Sequence, residues 1–165
     1  MTRALVIGYG NTLRSDDGAG PEAASILAGD PRLAGAEVLA VQQLVPELAL
    51  DMSRASIVVL VDASVTGRPG EVTVRPVVAA GAGEMGGTAG MAGAPGPSSH
   101  HVGPAELLGL ARELYGAAPS AFVVSIGAAD LGPGEELSPE VRAALPRVAD
   151  AVAGLVGRGE DAGPG

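Results

Sequence analysis

Short aliphatic runs alternate with amphipathic segments along most of this chain. Residues 3–9, 56–61 and 121–126 are runs of aliphatic and β-branched side chains, which are typical of buried strands, and residues 36–42 predict a further strand. Residues 70–77 instead alternate valine with polar side chains, as an edge strand with one solvated face does. The pattern therefore predicts five strands, three of them buried.

Helical periodicity fills the intervals between these strands. Residues 21–28, 46–54 and 104–115 predict helices, and a last helix begins at Ser138-Pro139-Glu140, where a hydroxyl cap precedes proline and an acid. Strands that alternate with helices predict an α/β fold. We expect a single three-layer sandwich with a mostly parallel five-stranded sheet and helices on both faces.

The 165 residues are enough for one domain with its own core, which we predict over residues 1–157. Residues 79–99 are rich in glycine, alanine and proline and bury little apolar surface, so they predict a flexible flap. Residues 158–165 predict a disordered tail.

Composition narrows the classes of function. The formal net charge is −9, and all ten basic residues are arginine, which argues against nucleic acid or an anionic membrane as a partner. The absence of cysteine excludes disulfides, a thiol nucleophile and thiolate metal sites. No signal peptide or membrane-length apolar run is recognisable. We therefore expect a cytoplasmic protein. We also expect it to act as a monomer.

A glycine-rich stretch, GYGNTLRSDDGAG at residues 8–20, follows the first strand. Pro21 suits the first position of a helix, so the cap is predicted near Gly20, with Asp16 and Asp17 ahead of it and free for other work. A phosphate cradle is disfavoured because the chain has no lysine and two carboxylates would repel the phosphate. A tight turn with acidic residues remains the alternative.

Candidate chemistry converges on carboxylates and histidine. Sites in α/β sheets form at the carboxyl ends of strands where the strand order reverses, so Asp62 meets the Asp16/Asp17 loop if the first and third strands are neighbours. His100 and His101 are the two histidines, and no Gly-x-Ser-x-Gly motif is present. Asp17, Asp62 and one histidine would form a three-ligand set suited to zinc or nickel. Each residue taken alone is also compatible with an ordinary turn or loop.

Several motifs together resemble the hydrogenase maturation endopeptidases. They are GYGNTLRSDDGAG at 8–20, VDA at 61–63 and SHHVG at 99–103, with support from QLVPEL at 43–48 and GEELSPEV at 134–141. The resemblance runs from about residue 5 to residue 155. It implies an endopeptidase that removes a C-terminal peptide from the large subunit of a nickel–iron hydrogenase after nickel has been inserted.

The resemblance also implies roles for individual residues. By their positions in the motifs, Asp17, Asp62 and His100 correspond to the family's catalytic and metal-contacting residues. The nickel is then carried by the substrate, the hydrogenase large-subunit precursor, and no cofactor is stored. Pro104 departs from the family pattern. A later helix start at that point would let His101 take over from His100.

The sequence alone leaves two other classes of function open. The same three residues could clamp a metallated partner as an assembly checkpoint without cutting it. A nucleotide-binding domain of the same layered class is a third reading, which the acidic loop disfavours. Within the peptidase reading, the nickel could polarise either the peptide carbonyl or a water molecule.

Overall fold

A single mixed sheet with helices on both faces makes up the fold. The computed structural model describes residues 3–81, 102–117 and 119–161. The strands are β1 (Ala4–Tyr9), β2 (Glu37–Val41), β3 (Ile57–Ser64), β4 (Val72–Pro76) and β5 (Ser120–Gly127). The helices are α1 (Ala19–Ala28), α2 (Leu48–Ser53), α3 (Pro104–Tyr115) and α4 (Pro139–Asp161), with short 3-10 helices at Ser15–Gly18 and Pro31–Leu33.

The strand order is β2-β1-β3-β5-β4, with β4 antiparallel to β5 and the other pairs parallel. This confirms the predicted α/β fold with a mostly parallel five-stranded sheet and β4 at an edge. The first and third strands are neighbours, with Gly8 paired to Val61, and Asp62 is paired to Ser125 on β5. β2 lies on one side of β1 and β3 on the other, so the strand order reverses between β1 and β3. A site is expected at the carboxyl ends of these two strands.

Alternate residues of each central strand enter different halves of the core. Val6 of β1 packs with Leu27 of α1 and Val148 of α4. Ile7 points to the opposite face, where it packs with Leu107 of α3 and with Met52 of α2. Both central strands are therefore covered on both faces, which explains why they are continuous aliphatic runs.

Three of the helices have boundaries that the sequence did not predict correctly. α2 spans Leu48–Ser53, where residues 46–54 were predicted. α1 begins at Ala19, not at residue 21, and is preceded by the 3-10 helix that contains both aspartates. α4 continues to Asp161, so residues 158–161, at the start of the tail predicted to be disordered, belong to this helix. The buried stripe of α4 extends to Val156, and the helix continues beyond the predicted domain end. Residues 162–165 lie outside the described part.

The helix α3 begins at Pro104, as the periodicity predicted, so the later start is not observed. The Glu106 side chain accepts a hydrogen bond from the Gly103 N–H at 2.9 Å, and Gly116 ends the helix with a φ of +73°. At the start of the predicted flap, Ala80 is buried and its carbonyl accepts a hydrogen bond from Arg112, while the flexibility of residues 79–99 stays a prediction. Residues 82–99 lie outside the described residues.

β3 also runs further than predicted. It continues to Ser64, so Asp62 lies inside the strand and is not the residue that closes it. Among the residues that the structure describes, none of the helices combines the length and the apolarity that a bilayer crossing needs.

Candidate functional site

Glycines fold the loop after β1 tightly against the end of that strand. Gly10 has a φ of +148°, and a Cβ on it would overlap the Asp17 carbonyl oxygen. A Cβ on Gly20 would overlap the Tyr9 carbonyl oxygen. The missing side chains thus let the 3-10 helix lie directly above the carboxyl end of β1. Asp17 is fixed there by a hydrogen bond of 2.9 Å from the Asn11 N–H to Asp17 Oδ2.

Asp17 lies on the wall of an open pocket of mixed polarity, with a volume of about 330 Å³. The loops after β1 and β2 form most of its wall. The lining residues are Tyr9, Gly10, Asn11, Arg14, Asp17, Gln42, Gln43, Leu44 and Val102. Carboxylate, guanidinium and carboxamide groups therefore surround a space large enough for one or two side chains of a bound peptide.

Asp62 is the second carboxylate at this edge, and hydroxyl groups bind both of its oxygens. Ser125 Oγ donates to Oδ1 at 2.6 Å, and the Tyr9 hydroxyl donates to Oδ2 at 2.8 Å. Burial raises the pKa of Asp62, and the nearby charge of Asp17 raises it further, while the two hydroxyl bonds and Arg75 oppose this.

Tyr9 connects the two carboxylates. The tyrosine lines the pocket beside Asp17, and its hydroxyl binds Asp62. Burial, followed by the charge of Asp62, raises the pKa of Tyr9 far above its usual value, so the hydroxyl stays protonated and remains a donor. The structure thus brings Asp17 and Asp62 to one edge of the sheet, around a shared tyrosine.

The histidine of the predicted triad cannot be placed in the same way. His100 and His101 both lie outside the described residues. Val102, which directly follows them, lines the pocket. Within residues 3–81, 102–117 and 119–161, no three metal-ligating side chains form a group that could hold an ion.

Asp16 does not share the environment of Asp17, and the prediction that both carboxylates are free is wrong for Asp16. Its side chain is fully buried. Oδ2 accepts from the N–H groups of Ala129 and Asp130 at 2.8 and 2.9 Å and from Ser138 Oγ at 2.8 Å, and Oδ1 accepts from the Ser138 N–H at 2.7 Å. Burial alone would raise the pKa of Asp16, but these hydrogen bonds prevail and lower it.

The neighbouring Ser15 ties the same two loops together. It is a non-glycine residue with a φ of +49°, a conformation that needs support from its surroundings. Its N–H donates to the Gly134 carbonyl at 2.8 Å, and its hydroxyl donates to the Gly132 carbonyl at 2.8 Å. The loop between β5 and α4 therefore fixes the glycine-rich loop at Ser15.

Sequence reasoning missed Tyr9 and Ser125 as partners of Asp62. One signal was available for Ser125, which is a single polar residue inside an otherwise apolar strand and has the same side-chain parity as the buried Val123. Tyr9 carried no comparable signal, since a tyrosine at the end of a strand is common.

Comparison with solved structures gives clear likenesses, although no protein-family model and no curated protein matches the sequence. The hydrogenase 2 maturation peptidase from a Thaumarchaeota archaeon is 26% identical with a TM-score of 0.68, and the match covers 94% of this chain and 99% of that chain. The [NiFe] hydrogenase maturation protease HybD from Thermococcus kodakarensis is 27% identical with a TM-score of 0.66, with the same coverage of 94% and 99%.

The hydrogenase maturating endopeptidase HybD from E. coli shares the fold at 23% identity and a TM-score of 0.63, covering 92% of this chain and 90% of that one. The structural neighbours are thus hydrogenase maturation proteases over most of the chain, which confirms the resemblance drawn from the motifs. They support a protease role in hydrogenase maturation.

Proposed function

We propose that this chain is an endopeptidase that removes a C-terminal peptide from the nickel-loaded large subunit of a nickel–iron hydrogenase. The observation that carries the proposal is the pairing of Asp17 and Asp62 around Tyr9 at the carboxyl ends of β1 and β3. This arrangement occurs in a chain whose structural neighbours are hydrogenase maturation proteases. The reaction takes place in the cytoplasm, and a single copy of the chain is sufficient for it.

The two carboxylates recognise the metal that arrives with the substrate. Asp17 is close enough to Asp62 for its charge to disfavour the charge of Asp62, which is also partly desolvated. A cation held by the precursor offsets both costs, because it attracts the two carboxylates together. His100, or His101 in its place, completes a two-oxygen, one-nitrogen set around the nickel.

The chemistry is hydrolysis of one peptide bond. Water adds across the scissile amide, its hydroxyl going to the carbonyl carbon and its proton to the leaving nitrogen as the C–N bond breaks. The nickel supplies the positive charge that this step needs, acting either on the carbonyl oxygen or on the attacking water. The chain's own contribution is to seat the metal and the peptide beside each other.

The pocket beside Asp17 provides room for the peptide. Gln42, Gln43 and Arg14 line it with groups that can donate to backbone carbonyls, and Asn11 lies beside them. The position of Val102 on the same wall supports a role for the preceding histidines, since the chain leading to them reaches the pocket. An extended segment of the precursor can therefore bind next to the two carboxylates.

The test is an assay of precursor processing followed by intact-mass spectrometry. A purified nickel-loaded large-subunit precursor is incubated with the wild type, Asp17→Asn, Asp62→Asn, His100→Ala and His101→Ala. We expect a shortened large subunit with the wild type and a loss of about 100-fold or more in rate for the two aspartate variants. One of the histidine variants should be equally impaired, which identifies the ligand within the pair.

Asp150→Asn is the matched control, because Asp150 is an exposed carboxylate on α4 whose contact is an ion pair with Arg32. It should process the precursor at the wild-type rate. Tight binding of the nickel-loaded precursor without any shortening would refute the endopeptidase and favour a non-cleaving checkpoint protein. Wild-type rates in both aspartate variants would remove these residues from the site.

A further inference from the structure

Three neighbouring strands each contribute one polar side chain to a row across the same face of the sheet. Asp62 and Ser125 are register partners on β3 and β5, and Tyr9 is the last residue of β1, directly after the Gly8–Val61 pair. Because the strands are parallel and in register, the three side chains leave the sheet side by side. Hydrogen bonds to Asp62 from the Tyr9 hydroxyl at 2.8 Å and from the Ser125 hydroxyl at 2.6 Å link the three side chains.

The two hydroxyls bind different oxygens of the carboxylate, and this fixes its orientation. Turning the carboxylate group about the Cβ–Cγ bond would break the hydrogen bonds from both hydroxyls. Each oxygen of an ionised carboxylate has about two acceptor sites, so each keeps one for another partner. The remaining acceptor sites of Asp62 therefore point in fixed directions, as a preformed half of a cation site requires.

We propose that Tyr9 and Ser125 are positioning residues that hold Asp62 in the orientation with which it receives the metal carried by the substrate. The inference rests on the proposed function and extends it to two residues that do not themselves contact the metal. Tyr9 has the larger role because it also lines the pocket beside Asp17, and so fixes Asp62 relative to the peptide-binding space.

The decisive variants are Tyr9→Phe and Ser125→Ala, which remove one hydroxyl each and keep the remaining side chain. Partners that orient a metal-binding carboxylate typically change metal affinity or activity by about 10-fold to 100-fold. We expect each variant to weaken binding of the nickel-loaded precursor by about 10-fold. Binding of the nickel-free precursor should not change, because Asp62 has no cation to receive in that complex.

The matched controls are Tyr115→Phe and Ser53→Ala. Tyr115 is the other tyrosine of the chain and lies half-exposed on α3, and the Ser53 hydroxyl donates to the Leu50 carbonyl within α2. Neither side chain contacts Asp62, so both variants should bind the two precursors as the wild type does. Urea denaturation of all four variants separates a loss of stability from a loss of orientation.

A double variant shows whether Tyr9 acts through Asp62. In an Asp62→Asn background, Tyr9→Phe should cause no further loss of affinity for the nickel-loaded precursor. An equal additional loss in that background, or equal weakening of nickel-loaded and nickel-free binding, would overturn the inference while precursor processing by the wild type still stood. A wild type that neither processes the precursor nor distinguishes its two forms would instead refute the proposed function.

Discussion

The glycine-rich loop has two sides that differ sharply although they carry adjacent aspartates. On one side, Asp16 is fully buried and accepts four hydrogen bonds from the loop between β5 and α4. On the other side, Asp17 stays partly exposed on the pocket wall and accepts one from the Asn11 N–H.

The difference shows how one dipeptide can supply both a buried structural carboxylate and a carboxylate that faces a pocket. Asp16 is fully buried, and its carboxylate accepts four hydrogen bonds, three at Oδ2 and one at Oδ1. Asp16 is therefore shielded from a cation in the pocket and instead fixes the loop to the rest of the fold. Because Asp16 holds the loop in place, Asp17 can face the pocket without contributing much to stability.

The largest expected effect is a contrast in stability between Asp16→Asn and Asp17→Asn. The amide that Asp16→Asn introduces would direct its own N–H groups at buried backbone N–H donors, so we expect a loss of about 3–5 kcal/mol in the free energy of unfolding. Asp17→Asn should cost less than about 1 kcal/mol, the value of a single partly exposed hydrogen bond. Urea denaturation at neutral pH measures both. Equal losses in the two variants would remove the proposed division of roles.

The sequence was sufficient for the fold but not for this division. Aliphatic runs and capping motifs are local signals, and they placed β1, β5 and α3 within about one residue of their observed ends. The donors that bind Asp16 come from residues 129–138, more than 110 positions away, and no local pattern indicates them. Asp17 and Asp62 could be singled out from topology and motif, whereas the hydroxyl of Tyr9 beside Asp62 depends on packing that only the folded chain defines.

Ser138→Ala should have a smaller effect on the same side of the loop. It removes the hydroxyl bond to Asp16 at 2.8 Å and the cap to the Val141 N–H at 3.4 Å, and leaves the bond from the Ser138 N–H in place. We expect a loss of about 1–3 kcal/mol in unfolding free energy, because a hydrogen bond to a charged group and a helix cap are both lost. Ser64→Ala, at an exposed hydroxyl paired with Thr66, is the control. If both serine variants are equally stable, the Asp16 cluster is not important for folding.

The smallest expected effect is a pH dependence of the contribution that Asp16 makes to the free energy of unfolding. The pKa of Asp16 is lowered in the folded state, so its stabilisation is complete above the usual value of 3.8 and is lost as pH falls through the lowered pKa. The difference in unfolding free energy between the wild type and Asp16→Asn should therefore be larger at about pH 7 than at about pH 3. Denaturation curves at the two pH values measure it, and a difference that does not narrow in acid would contradict the assignment.

We propose that Asp17, on the pocket side of the loop, recognises the metal carried by the substrate. The most direct test is the intact mass of the large-subunit precursor after incubation with this protein, measured for nickel-loaded and nickel-free precursor in parallel. We expect loss of a C-terminal peptide from the nickel-loaded precursor and an unchanged mass for the nickel-free one, since Asp17 and Asp62 gain favourable Coulomb energy only when the cation is present. Equal processing of both precursors would contradict it.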